Sequence, residues 1–218
     1  MPKIKIGVFD SGKGGLYVAS AIRSELPELE VIYKDDAEHV PYGDKSVEEL
    51  HRLATPILRT FVDEGCRVIV IACNTLTTNL IERLRKELPV PLIGMEPAVK
   101  PAAADSKTKI IAVCATPRTL SSKRYAWLKQ EYAQSVKVLE PDCSDWGLMI
   151  EQDRLERDKI AKVINEICGA GADQIVLGCT HYHGIAPLIE EIAAGRAAVI
   201  QPETPVIAQL KRVLAQLP

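Results

Sequence analysis

Two cysteines of this 218-residue chain sit in nearly matching settings. Arg67-Val-Ile-Val-Ile-Ala-Cys73-Asn-Thr and Gln174-Ile-Val-Leu-Gly-Cys179-Thr-His are each an apolar run that stops abruptly at a thiol followed by hydrogen-bonding residues. A short β-branched run of this kind reads as a buried parallel strand, and ligands of open α/β sheets bind beyond the carboxyl ends of such strands. Both thiols are therefore expected to face a cleft. A lone cysteine is most often a small buried hydrophobe. Here Asn74 and Thr75 accompany one sulfur and Thr180 and His181 the other, and His181 could exchange a proton with Cys179 or stabilise its thiolate. Two thiols on opposite sides of one small ligand form the acid and base that inversion of a stereocentre requires.

The elements that must position them follow a βα rhythm. Residues 4–9 read as a strand, 14–26 as a helix and 30–34 as a strand, with a turn at Pro41-Tyr42-Gly43-Asp44. Ser46-Val-Glu-Glu49 fits a capping box that opens an amphipathic helix through Phe61, which Pro56 should kink. Residues 68–72 read as a strand, 78–88 as a helix and 91–95 as extended, and Glu96-Pro-Ala-Val-Lys-Pro marks a crossing point before a second βα series from Lys109. Ile6-Gly-Val-Phe-Asp10 matches Ile111-Ala-Val-Cys-Ala115 at nearly the offset that separates Cys73 from Cys179, as a duplicated α/β half would. The expectation is an α/β protein of two similar doubly wound parallel-sheet lobes in a pseudo-twofold relation, with the site in the cleft between them. The lobes are placed at residues 1–97 with 205–218, and at 98–204.

A chain that is 47% hydrophobic and 26% charged can bury a sizeable core. With a net charge of −2 and scattered Lys and Arg it carries no electrostatic footprint for nucleic acid, and no apolar run approaches the roughly 20 residues that cross a bilayer. A cytoplasmic protein with neither nucleic acid nor membrane as partner is expected. The 6 cysteines lack any Cys-x-x-Cys pairing, so reduced thiols are the expectation. His181 and His183 are an isolated pair, and neither paired cysteines nor His-Glu-x-x-His occurs, so no metal is expected. Asp10-Ser-Gly-Lys-Gly-Gly15 ends a strand and opens a helix, where backbone N–H groups can hold an anion. The spacing from Gly7 to Gly12-Lys13 imitates a P-loop, but Gly14 supplies no hydroxyl for magnesium and Asp10 would repel phosphates.

Asp10-Ser-Gly-x-Gly-Gly, Pro41-Tyr-Gly-Asp-Lys-Ser46, Cys73-Asn-Thr75 and Gly178-Cys-Thr-His-Tyr182, in this order, resemble the motifs of glutamate racemases in the aspartate/glutamate racemase superfamily. Gly94-Met-Glu-Pro-Ala98, Ala115-Thr-x-x-Thr119 with Ser122-x-x-Tyr125, and Cys143 with Glu151 extend the resemblance over nearly the whole chain. It implies racemisation at Cα without pyridoxal phosphate or any other cofactor. One cysteine thiolate removes the proton and the opposite thiol delivers another, and Cys73 and Cys179 match those two bases. By the same carry-over Asp10 assists Cys73, while Glu151 and His181 assist Cys179. Asp10, Ser11, Tyr42, Gly43, Asn74, Thr75, Thr180 and His181 match substrate-holding positions, with Thr116 and Thr119 reaching the side-chain carboxylate. The resemblance further implies a small acidic amino acid as partner, D-glutamate for peptidoglycan as product, and a homodimer as one assembly.

Several positions depart from the family pattern. Leu76-Thr77-Thr78 replaces small residues after Cys73-Asn-Thr75, His183 stands where proline often follows, Gln201 where aspartate is common, and Lys13 is unusual within the glycine turn. The chain also stops soon after residues 206–214, where many members continue, which reads as a compact or divergent member. Two alternatives stay open: a racemase of another acidic amino acid such as aspartate, and a non-catalytic binding protein on the same fold. Both retained cysteines argue against the latter.

Overall fold

The computed structural model describes residues 3–201 and 203–217, so residues 1, 2, 202 and 218 of the expected lobes lie outside the described part. Lys5–Asp10 (β1), Glu30–Asp35 (β2), Val68–Ile71 (β3) and Leu92–Gly94 (β4) pair in parallel in the order β2-β1-β3-β4. Ile110–Ala115 (β5), Lys137–Leu139 (β6), Gln174–Gly178 (β7) and Ala198–Ile200 (β8) do the same in the order β6-β5-β7-β8. The strand order is identical in the two sheets, so the repeat in sequence corresponds to a repeat in topology.

Helices cover both faces of each sheet, as the continuous apolar strands require. Side chains alternate along a strand. Ile69 and Ile71 of β3 therefore meet Leu50, Leu58 and Phe61 of α2 (Val47–Asp63) and Leu80 and Leu84 of α3 (Asn74–Glu87). Val68 and Val70 meet Val18 and Ile22 of α1 (Gly15–Glu25) and Val206, Ile207 and Leu210 of the last helix, Glu203–Leu214. In the second sheet, Val99 and Ala102 of α4 (Val99–Asp105) and Tyr125 and Leu128 of a helix over Lys123–Tyr132 cover Ile111, Val113 and Val176. Between those two helices lies the short α5 (Pro117–Leu120), so Lys123–Tyr132 is α6. The opposite face carries α7 (Trp146–Glu151), α8 (Arg157–Gly169), α9 (Thr180–His183) and α10 (Ala186–Ala193), and α11 is Glu203–Leu214.

Two local readings change. α3 begins at Asn74 rather than at residue 78. The threonines that weaken the helical pattern bond back to the chain, Thr78 Oγ1 to the Asn74 carbonyl at 2.9 Å and Thr77 Oγ1 to that of Ile71 at 3.3 Å. The crossing segment coils into α4, with Pro101 in the first turn, where its missing N–H is tolerated. The turn expected at residues 41–44 is present, as a 3₁₀ turn over residues 42–44 after a cis Val40-Pro41 bond. The capping box forms as expected: the Glu49 N–H donates to Ser46 Oγ at 3.3 Å, and the Ser46 N–H to Glu49 Oε2 at 3.1 Å. α2 runs through Pro56 to Asp63.

Candidate active site

Strand register brings the polar ends together. Phe9 pairs with Ile71, so Asp10 leaves the first sheet beside Ala72-Cys73; Ala115 pairs with Gly178, so Thr116 leaves the second beside Cys179. The turn after β1 folds back on itself, the Gly15 N–H donating to Asp10 Oδ2 at 2.7 Å. Gly14 has to be glycine for another reason: an added Cβ would lie 2.6 Å from the backbone nitrogen of His181. This turn of the first lobe rests directly on the second. Cys73 precedes α3, and the Leu76 N–H reaches its sulfur at 3.5 Å, so the positive end of a 14-residue helix faces the thiol. Cys179 precedes α9, with its sulfur 3.8 Å from His181 Nδ1.

Both thiols line one cavity of about 20 Å³, together with Ser11, Tyr42, Gly43, Asn74, Thr75, Thr116, Thr180 and His181. Such a space admits about one water, so the lobes are closed. Hydroxyl groups stitch them shut. Thr75 Oγ1 lies 2.9 Å from Thr116 Oγ1 and 3.3 Å from Thr119 Oγ1, while Thr180 Oγ1 donates to Asp10 Oδ1 at 3.1 Å. Gly43 packs on Thr116, whose Cβ would be 3.0 Å from an added Cβ. Among the described residues neither amide atom of buried Asn74 has a partner. A larger groove of about 380 Å³ between β4, α4, α6 and α11 contains none of these residues, and its Arg124 and Glu96 are already joined by two hydrogen bonds of 2.7 and 3.0 Å.

Burial dominates the electrostatics. It pushes the Cys73 thiol up to about 12, the Asp10 charge adding to the effect and the Ser11 hydroxyl at 3.5 Å opposing it. The Cys179 thiol is also raised by burial, against the His181 N–H, with Cys73 and Asp10 adding. Asp10 itself is raised by burial, countered by His181 and by hydrogen bonds from Ser11, Gly15 and Thr180. Both thiols are neutral in this closed form at ordinary pH. A cation entering the cavity would favour a thiolate.

All of the expected site residues converge, in two layers. Asp10, Thr119 and Glu151 stand behind the cavity wall, Asp10 on Thr180, Thr119 on Thr75 and Thr116, and Glu151 on His181 Nε2 at 2.7 Å. The Tyr42 hydroxyl donates to buried Asp36 at 2.7 Å, so the ring is what this residue offers the cavity. Asp36 escapes a sequence reading because an acid after a strand looks like an ordinary loop residue. Gly147, at the cavity wall on α7, gives no signal at all.

Comparison with known proteins places this arrangement. The profile of the Asp/Glu/Hydantoin racemase family matches residues 16–210. The glutamate racemase of Herpetosiphon aurantiacus is 38% identical over 214 residues, spanning 96% of this chain and 84% of its own. Among solved structures, Escherichia coli glutamate racemase in complex with L-glutamate and the activator UDP-MurNAc-Ala gives a TM-score of 0.86 at 24% identity, covering 99% of this chain and 84% of its own. That likeness carries the fold alone. The glutamate racemase of Francisella tularensis in complex with D-glutamate gives 0.80 at 28% identity, covering 98% and 82%. With two thiols at matching strand ends of matching sheets, and relatives along nearly its whole length, the chain belongs to the Asp/Glu/Hydantoin racemase family and is an amino-acid racemase.

Proposed function

We propose that the substrate is glutamate, interconverted between its L and D forms by two-base proton transfer at Cα, with Cys73 and Cys179 as the two bases and without a cofactor. The observation that carries this reading is the shared cavity, in which one thiol from each lobe meets an enclosed space at the ends of both sheets. The name of the relatives, glutamate racemase, supports the five-carbon substrate over aspartate. Among the described residues no Lys or Arg lines the cavity. Carboxylates would therefore be received by N–H and hydroxyl groups at Asn74, Thr75, Thr116 and Thr180, a mode that helix and turn N-termini provide for anions. The unpartnered Asn74 amide is a waiting donor and acceptor of that kind. The substrate ammonium supplies the positive charge that the neutral thiols lack, which favours a thiolate on one side while the other thiol keeps its proton.

In the forward direction one sulfur takes the Cα proton and the other donates to the opposite face; the reverse direction exchanges the roles. Charge that develops on the α-carboxylate is stabilised by fixed donors in a dry cavity, where hydrogen bonds are stronger than in water. Asp10 works beside Cys73 and the His181–Glu151 pair beside Cys179. Because the cavity is smaller than an amino acid, the lobes, taken as residues 1–97 with 205–218 and 98–204, open for entry and close for chemistry. The packing of α11 on the first sheet supports that division. Among the described residues no helix is long and apolar enough to cross a membrane. A cytoplasmic enzyme that supplies D-glutamate to peptidoglycan, with a homodimer as one assembly, completes the reading. Polarimetry tests it: without pyridoxal phosphate, optical rotation of either glutamate enantiomer should decay to zero, and aspartate should decay at least about tenfold more slowly, the discrimination one methylene allows. Constant rotation with glutamate contradicts it.

A further inference from the structure

Lys13 stands in the glycine turn between Gly12 and Gly14 and reaches across to the second lobe. Its N–H donates to Glu151 Oε2 at 3.3 Å, and its ammonium donates to the Glu151 carbonyl at 3.1 Å and to Asp153 Oδ1 at 2.7 Å. Glu151 is the last residue of α7, so this is a cation held at the carbonyl end of a helix, where it is electrostatically favoured. The same Oε2 is 2.7 Å from His181 Nε2, and the other ring nitrogen of His181 is 3.8 Å from the Cys179 sulfur. Gly12 presses on that pair as well: an added Cβ would lie 2.7 Å from Glu151 Oε2 and 2.8 Å from His181 Nε2.

We propose that Lys13 is a positioning residue for proton transfer on the Cys179 side. From the first lobe it fixes the end of α7, and with it the Glu151 carboxylate on His181, so that this acid–base group is complete when the lobes are closed. The inference rests on the two-thiol reading above. Lys13 does not line the cavity, so its effect falls on turnover and not on ground-state binding. Nor is it a matter of bulk stability, because the side chains of Lys13 and Asp153 are 33% and 89% exposed, and an ion pair so placed contributes little.

The test compares Lys13→Met, which keeps the aliphatic stem, with Lys13→Arg, which keeps the charged donor. In Lys13→Met, kcat should fall about tenfold with both enantiomers while KM changes less than about twofold, and Lys13→Arg should recover most of the loss. A Lys13→Met enzyme with wild-type kcat, or one in which only KM rises, overturns the proposal. Wild-type inversion of glutamate is measured first and judges the proposed function separately. Should the wild type be inert, substrate-free amide exchange over Trp146–Glu151 decides. Lys13→Met should then speed exchange about twofold to fivefold, the range an exposed tether allows, and Lys13→Arg should not, because loss of a tether lowers local opening free energy; equal rates in all three proteins overturn the placement.

Discussion

Cys73→Ser and Cys179→Ser should each cut inversion by at least about 10²-fold, since a hydroxyl is a far weaker acid–base group than a thiol. Each variant should still exchange the Cα hydrogen of the one enantiomer that presents it to the surviving thiol, read by mass spectrometry in deuterated buffer. Asn74 allows a prediction in which stability and function part company. Its buried amide has no partner among the described residues, and an unsatisfied buried group costs about 1–3 kcal/mol. Asn74→Ala should therefore leave the melting temperature unchanged or raise it, while KM rises about tenfold as one ligand hydrogen bond is lost. A fall in melting temperature with an unchanged KM would make Asn74 a structural residue. Which residues surround the thiols is legible in the sequence because Asn74, Thr75, Thr180 and His181 are chain neighbours of the two cysteines. Asp36 and Gly147 are not legible, because they arrive from separate elements through tertiary packing.

The strands of the first lobe, those leading to Thr116 and Cys179, and the α2 cap can be read directly, since β-branched runs and Ser46-x-x-Glu49 express local physics that packing does not override, whereas the three-residue β6 and β8 are too short to announce themselves. The start of α3 and the existence of α4 cannot, because threonine back-bonding and a proline in a first turn suit either a helix or a loop until neighbours decide. Nor can closure, which depends on how Thr75 meets Thr116 across the lobes. That contact can be tested by locking it. An added Cβ at Gly43 would sit 3.0 Å from the Thr116 Cβ, close to the span a disulfide bridges after slight relaxation. Because Thr116 lines the cavity, a reduced Gly43→Cys/Thr116→Cys protein should turn over more slowly than the wild type, and oxidation should abolish that remaining turnover, which reductant restores to the reduced variant's own rate. Full activity of the oxidised, cross-linked protein would show that the substrate enters without separation of these elements.

Stability of the whole molecule should depend on the buried thiols at alkaline pH. Folding holds the Cys73 thiol up to about 12, against 9.0 ordinarily, and raises that of Cys179 as well. The folded state thus keeps protons that the unfolded chain releases, so this stabilisation is fully present below pH 9.0 and is lost as the pH rises toward about 12. Urea midpoints should fall above about pH 9, and fall less steeply in a Cys73→Ser/Cys179→Ser protein. The tyrosines raised by burial, Tyr42 among them, add to the decline above pH 10.0 in both proteins. The central claim, that the thiol of one lobe removes the Cα proton and the thiol of the other delivers a different one to the opposite face, is tested most directly by incubating the protein with L-glutamate in deuterated water, without pyridoxal phosphate, and following both chirality and Cα deuterium. The account predicts D-glutamate carrying deuterium at Cα. Neither inversion nor exchange would contradict it, and exchange without inversion would mean that a single thiol acts.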